Sequence, residues 1–358
     1  MLNLHVLQAA YGDCLFLEFG SHSPRYILID GGPPDTYGYS LKPFLSGLAE
    51  QGLPLDLVLL SHVDNDHVIG LLDYFAQLGE EDNQLPIPSA LWLNSFSATL
   101  DPDHAIQPRL TALLALDQAG AMSESAFTIE GVKEGHKLRT LALLRRVPIN
   151  TEFDNQLITV ETAPRLLVFD DVELIVIGPT QANLDALRGE WMAWLSKQEN
   201  LIDAQPFVLS NSDRSIPNLS SITLLARTAD RTILLTGDAR SDHLLSGLKQ
   251  ANLLDANGQL HVNVLKLPHH GSSRNITKSF FKQITADVYV ASANGKDGNP
   301  DLATLIWLVE AAQEQGRKVE IVATNDTSSL QSLVSQYPPA TYNFTLRLLQ
   351  TGETSLVV

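Results

Sequence analysis

Basic residues are scarce in this sequence, and several other features are missing altogether. The 358 residues contain one cysteine, so no internal disulfide can form and a disulfide-stapled secreted scaffold is excluded. That residue, Cys14, sits in the apolar run Cys14-Leu15-Phe16-Leu17 and reads as a buried small side chain rather than a nucleophile. No window approaches the ~18 uninterrupted apolar residues that span a bilayer. The opening, Met1 to Gln8, has neither a basic leader nor a long apolar stretch and alternates like a strand. A cytoplasmic location without membrane contact is therefore expected. There is no internal repeat and no low-complexity tract. Lys plus Arg number 24 against 41 Asp plus Glu, a net charge of −17, which repels polyanions at long range and argues against broad nucleic-acid coating.

The positive charge that is present is unevenly placed. From Ala256 to Ala286 there is no acidic residue, while Lys266, Arg274, Lys278, Lys282 and three histidines occur there. A second cluster holds Lys133, Lys137, Arg139, Arg145 and Arg146. Each alone reads equally well as an ordinary solvated face. Hydrophobic residues make up 44% and charged residues 18%, enough for a real core and unlike a disordered chain.

Short strands are expected at His5-Val6-Leu7, Cys14 to Leu17 and Tyr26 to Asp30, then a helix from about Tyr39 to Gln51 and an apolar strand Leu55 to Leu60. Another helix begins near Asp66. The stretch from about Asn94 to Gln156 reads as a helical insertion, its leucines recurring at three- and four-residue spacing (Leu110, Leu113, Leu114, Leu116, then Leu138, Leu141, Leu143, Leu144). A smaller inserted helical segment, about 183–216, carries Trp191 and Trp194, which read as packing residues rather than a base-stacking platform. Strands around Leu166-Phe169 and Val172-Ile177 lie between the two insertions. Past Asn218, strands at Ile222-Leu225, Thr232-Leu235, Val262-Leu267, Val288-Val290 and Val319-Val322 alternate with helices, and the tail, Tyr342-Leu349 with Ser355-Val358, reads as a closing hairpin. The pattern implies an α/β domain with two sheets and helices on their outer faces.

The chemistry is concentrated in His62-Val63-Asp64-Asn65-Asp66-His67, directly after an apolar strand. On an extended loop, residues two apart face the same way, so His62 and Asp64 can address one point while Asp66 and His67 address a second beside it. Imidazole and carboxylate together suit Zn²⁺ or Mn²⁺. One Asp and one His would read as a helix cap and a stray surface residue; four such residues in six positions read as metal ligands. Asp238 ends a strand at Gly237, from where it can bridge two cations, although Gly-Asp alone is usually just a turn. His269-His270-Gly271 follows another apolar strand. Asp30, beside two glycines, reads as an acceptor that orients a ligand histidine from behind, with a turn-forming role nearly as good an explanation.

Taken in order, Gly12-Asp13, Leu28-Ile29-Asp30-Gly31, Ser61 to His67, Thr236-Gly237-Asp238 and Leu267-Pro268-His269-His270-Gly271-Ser272 resemble the metallo-β-lactamase-fold hydrolases, and within them the ComEC-like branch, the hydrolase domain of a bacterial DNA-uptake protein. The resemblance covers most of the chain apart from the two insertions. It implies a single αββα four-layer domain with two divalent metal ions, Zn²⁺ or Mn²⁺, at one edge between the sheets. By position, His62 and Asp64 would bind one metal, and Asp66 and His67 the other. One of His269 and His270, with His270 preferred, would join the second; Asp238 would bridge. The remaining histidine would bind metal or a phosphoryl oxygen. Asp66, Asp238 and His269 are thus expected to act in catalysis, and Lys266, Arg274 and Asn299 to contact substrate.

Two departures from the family pattern bear on activity. The region where many members carry a further histidine reads Asn218-Leu219-Ser220-Ser221, and where the branch tends to carry His-Pro this chain has Asn299-Pro300. An amide is no general acid near neutral pH. Three functions follow: metal-dependent phosphodiester hydrolysis on DNA or RNA; hydrolysis of a small ester or cyclic nucleotide, which the acidic net charge favours; or a metal-stabilised, non-catalytic module with a protein partner in a bacterial defence system, by analogy with stand-alone members of the branch.

Overall fold

Period-two alternation in the strands generates two apolar faces per sheet, and both are covered. The computed structural model describes residues 1–80, 84–94, 126–163, 167–189, 192, 220–350 and 355–357. In β1 (Leu2–Val6), β2 (Leu15–Phe19), β3 (Arg25–Ile29) and β4 (Leu55–Leu59), the residues Leu4, Leu17, Ile27 and Leu57 face inward to a core shared by both sheets. Their neighbours Phe16, Leu28 and Val58 face outward onto helices. With β5 (Leu91–Trp92) and β14 (Ser355–Val357) these strands form a six-stranded sheet in the order β14-β1-β2-β3-β4-β5.

The second sheet has eight strands: β6 (Leu167–Phe169), β7 (Val172–Gly178), β8 (Thr223–Arg227), β9 (Thr232–Leu235), β10 (Leu260–Lys266), β11 (Ile284–Ala291), β12 (Val319–Ala323) and β13 (Phe344–Leu348), neighbours in that order. Its β6–β9 half is antiparallel and its β9–β13 half parallel. Leu174, Leu224, Ile233 and Val264 pack against the first sheet, whereas Ile177, Leu225, Leu234 and Leu265 face outward.

Helices α1 (Lys42–Glu50), α2 (Asn65–Gln77) and α3 (Ala126–Leu144) cover the six-stranded sheet through Leu45, Leu71, Phe75, Leu138 and Ala142. Helices α4 (Ser241–Gln250), α5 (Lys278–Gln283), α6 (Leu302–Glu314) and α7 (Ser328–Gln336) cover the other through Leu244, Phe280, Leu308 and Leu333. Helix, sheet, sheet, helix is the four-layer order expected from the sequence. Among the described residues no helix is long and apolar enough to cross a membrane.

The tail departs from expectation. β13 and β14 do not form a hairpin: β13 adds to β12 in parallel, while β14 pairs antiparallel with β1 in the other sheet. Both segments alternate as hairpin strands would, but alternation fixes which face is buried and not which strand is the partner. Of the larger insertion, α3 packs on α2, and Ile149 and Asn150 return to the β5 edge. Leu110, Leu113, Leu114 and Leu116 lie outside the described residues. In the smaller segment, residues 181–189 are helical, and Trp191 and Trp194 lie outside the described residues.

The loops after β1, β3, β4, β9, β10 and β11 gather at one end of the sandwich. A pair of glycines sets how closely α2 approaches them. A Cβ on Gly70 would fall 1.9 Å from the Gly31 carbonyl oxygen, so only hydrogen fits there. The contact lets Gly31 N donate to His67 O at 2.7 Å and Gly70 N to Gly32 O at 3.1 Å. The first turn of α2, with Asp66 and His67, is thereby docked onto the loop that carries Asp30.

Candidate metal centre

Three histidines converge here, and each is held from behind. Ser61 Oγ donates to Asp30 Oδ2 at 2.7 Å, so the proton between Ser61 Oγ and His62 Nδ1, 3.0 Å apart, belongs to the ring. His67 Nδ1 donates to Asp30 Oδ2 at 2.8 Å, and His270 Nδ1 to the Ser292 carbonyl at 2.9 Å. With Nδ1 committed in all three rings, the neutral tautomer presents its lone pair on Nε2. All three Nε2 atoms are buried and lack a hydrogen-bond partner, as does Asp238 Oδ1. Buried polar atoms without partners are uncommon because each forfeits its hydration. Of these, His67 Nε2, His270 Nε2 and Asp238 Oδ1 face one another and mark a place built for a cation.

Asp238 stands at the centre. Its Oδ1 lies 3.4 Å from His67 Nε2 and 3.5 Å from His270 Nε2, while its Oδ2 lies 3.6 Å from His269 Nε2 and 3.8 Å from His62 Nε2. One carboxylate thus faces two different histidine pairs with its two oxygens. Asp64 Oδ2 joins the His62 side at 3.4 Å, and Asp66 Oδ2 joins the His270 side at 3.3 Å. His62, Asp64, Asp66, His67, Asp238 and both members of the His269-His270 pair are therefore brought together. His269, Asp64 and Asp66 keep about a quarter of their side-chain surface exposed (27%, 28% and 24%), which marks the open side of the cluster.

Local backbone conformation explains how adjacent histidines reach the same carboxylate. His269 (φ 45°) and His270 (φ 54°) are both left-handed, a conformation that costs a non-glycine residue ~1 kcal/mol or more. The turn is pinned by His269 N donating to Gly237 O at 3.1 Å and by Asp301 N donating to Gly271 O at 3.1 Å. Asn299 is half-buried in the segment packed beside this turn, two residues before Asp301. Arg274 is exposed, four residues beyond His270.

Lys266 contradicts the sequence expectation. The sequence places it among the substrate contacts, yet its side chain is fully buried and its Nζ is ion-paired with Asp13 Oδ2. A buried ammonium must find a carboxylate, and Asp13, itself buried, supplies one. Asp13 belongs to the motif set of the sequence, which assigns it no role at the site. The ligand-type atoms of Asp13, His67, Asp238 and His270 lie within 4.8 Å of one another. Its signal was visible: Gly12-Asp13 repeats the form of Gly237-Asp238. A Cβ on Gly12 would fall 1.9 Å from Asp66 O, so this loop rests directly on the start of α2. Nothing in the sequence pointed to the supporting roles of Ser61 and the Ser292 carbonyl.

The electrostatics call for positive charge. Burial disfavours a charged His67 ring, yet the Asp238, Asp66 and Asp30 carboxylates outweigh it and hold the imidazolium well above its ordinary range. For His270, burial and Lys266 oppose protonation but Asp238 and Asp13 prevail, raising it to about 9. Burial alone would raise Asp66 and Asp238; the facing histidines instead bring Asp66 down to about 2 and Asp238 well below the carboxylate range. With neutral histidines, the carboxylates of Asp13, Asp30, Asp64, Asp66 and Asp238 exceed the Lys266 ammonium by four charges, the charge of two divalent ions. Divalent metal binding fits this donor set.

Residues 10–79 match the family model described as the Metallo-beta-lactamase superfamily. No curated protein matches the chain. Among solved structures, it is similar to CmlA, a diiron beta-hydroxylase from Streptomyces venezuelae (12% identity, TM-score 0.40, covering 100% of this chain and 54% of that one). It is also similar to a beta-lactamase domain protein from Burkholderia ambifaria (12%, TM-score 0.30, 66% and 56%) and to a long form RNase Z from yeast (9%, TM-score 0.32, 91% and 36%). The chain spans about half the length of the first of these. The matched segment contains Asp13, Asp30 and the whole run His62 to His67.

Proposed function

We propose that the chain is a two-metal hydrolase of phosphodiesters, with a small diester rather than a nucleic-acid polymer as substrate. The observation that carries the metal-dependent reading is the division of Asp238, whose two oxygens face separate His/Asp groups. On this reading His62, Asp64, His269 and Asp238 would hold one ion, and Asp66, His67, His270 and the same Asp238 would hold the other. Such ions, Zn²⁺ or Mn²⁺, would supply a water of lowered pKa and Lewis acidity towards a phosphoryl group.

The chain's own residues do the rest. Asp30, Ser61 and Ser292 fix the imidazoles so that Nε2 faces the centre. The substrate approaches on the side where Asp64, Asp66 and His269 are exposed. Asn299, beside that turn, can donate an amide hydrogen bond to a phosphoryl oxygen but no proton, which favours a diester whose leaving group departs without a general acid.

Size follows from charge. The acid-free stretch does not raise a free positive field: Lys266 is buried, Lys278 pairs with Glu310 (2.7 Å) and Glu314 (2.9 Å), and Lys282 with Glu314 (2.6 Å). A polymer would have to lie along a surface of net charge −17 with these lysines engaged elsewhere. The test is a panel of aryl phosphodiesters, cyclic nucleotides and single- and double-stranded oligonucleotides with Mn²⁺ or Zn²⁺. Metal-dependent turnover of a small diester, lost in Asp238→Ala, is the expected result. Cleavage of oligonucleotides alone would remove the size assignment, and no metal-dependent cleavage of any substrate would remove the hydrolase reading.

A further inference from the structure

Lys266 ends β10 pointing inward, and the position of its ammonium is unusual. Besides Asp13 Oδ2, Nζ lies 3.4 Å from the Gly237 carbonyl and 3.9 Å from Asp238 Oδ1. Its backbone is tied into the same corner, since Thr236 Oγ1 donates to Lys266 O at 2.8 Å. Asp13 in turn has its second oxygen, Oδ1, 3.5 Å from His270 Nδ1, buried and without a hydrogen-bond partner. Both partners of this ion pair thus touch groups that face the cluster, Lys266 against Asp238 and Asp13 against His270.

We propose that the Asp13–Lys266 pair sets the metal affinity of the position formed by Asp66, His67, His270 and Asp238 Oδ1, with Asp13 strengthening and Lys266 weakening it. The inference rests on the two-metal reading and adds a pair of positioning residues to it. The physical ground is the sign of each charge. A fixed ammonium beside Asp238 Oδ1 competes with a divalent ion for the same oxygen, and in a buried, weakly screened setting that competition is strong. A carboxylate behind His270 increases the ring's basicity and so its hold on a cation. The contacts that are present reach Asp238 Oδ1 and His270, so the larger effect falls on that position and a smaller one passes through the shared carboxylate to the other.

This differs from a plain structural ion pair in a measurable way. If the pair only supports the fold, removing either charge strands the other in the interior, and both variants weaken metal binding alike. If the pair tunes the position, the variants move apart. The experiment is a calorimetric titration of ion-stripped protein with Zn²⁺, resolving the two binding steps. Lys266→Met is expected to tighten one of the two steps by about tenfold or more, and Asp13→Asn to loosen that same step by a similar factor. The double variant, which removes both charges, is expected to stay within about threefold of the unaltered protein, and the sign of one single variant decides the matter should the other fail to fold: looser binding in Lys266→Met or unchanged binding in Asp13→Asn overturns the proposal. Single variants that shift together, a lack of any shift, or a double variant that loses an ion would each overturn the proposal. Protein that binds two ions but cleaves no diester leaves this inference standing while the substrate reading falls. Protein that binds no ion removes the metal centre itself and the inference with it.

Discussion

His67 Nδ1 lies 2.8 Å from Asp30 Oδ2, and this contact turns the opposite nitrogen of the ring towards Asp238. The same carboxylate accepts from Ser61 N and Ser61 Oγ, both at 2.7 Å, and through Ser61 it also fixes His62. One buried aspartate therefore orients two imidazoles. Replacing it with alanine is expected to lower metal affinity by about 10–100-fold, read by competition with a chromophoric chelator. An unchanged affinity would show that packing alone holds the rings.

Asp238→Asn keeps the side chain's shape and removes its charge. Because both halves of the cluster share this residue, the substitution is expected to remove at least one ion from protein dialysed against trace metal, with hydrolysis falling by ~100-fold or more. Elemental analysis beside a kinetic assay checks both parts. Two tightly held ions in the variant would rule out a bridging role.

The raised histidines give ion-free protein a defined pH response. A group whose folded pKa is raised contributes stability that is complete below its unfolded value and disappears as pH climbs through the folded one. For His270 that window runs from its ordinary 6.5 to about 9, and His67 acts in the same direction. Ion-free protein should therefore lose stability across this range. Asp66 works at the other end: its stabilisation is lost as pH falls through about 2. Metal entering at neutral pH must expel the histidine protons, so titrations in buffers of different ionisation enthalpy should reveal proton release. A heat of binding independent of buffer would contradict the assignment.

Chelation should destabilise the protein by mass action. At a free ion concentration of a hundred times Kd, one bound ion contributes ~2.7 kcal/mol, and its removal should lower the thermal midpoint by several degrees. Differential scanning calorimetry with and without chelator measures this.

The Gly31–Gly70 contact admits no methyl group. Gly70→Ala must displace α2 from the loop carrying Asp30, at a cost of ~3 kcal/mol or more. Because Asp66 and His67 begin that helix, metal affinity should fall together with stability. Full metal binding in a destabilised variant would separate the two.

Much of this arrangement could be read without coordinates, and the parts that could not share a cause. His62, Asp64, Asp66 and His67 were legible because four donor side chains occur in six positions after an apolar strand; Asp238 and the His269-His270 pair were legible because each ends a strand. The role of Lys266 is not legible because its partner Asp13 lies on the loop between β1 and β2 of the other sheet, and a lysine at a strand end looks the same whether it turns inward or outward. The tail failed similarly, since β13 and β14 alternate as hairpin strands do while joining different sheets. Local spacing encodes which face a residue shows; long-range pairing is decided by the whole assembled core.

The shared position of Asp238 carries one more consequence. Its two oxygens are ends of a single delocalised anion, so an ion arriving at either end withdraws electron density from the other. Occupancy of the two halves is accordingly antagonistic: the first ion to bind makes the second a looser guest, and saturation curves should be shallower than for independent sites.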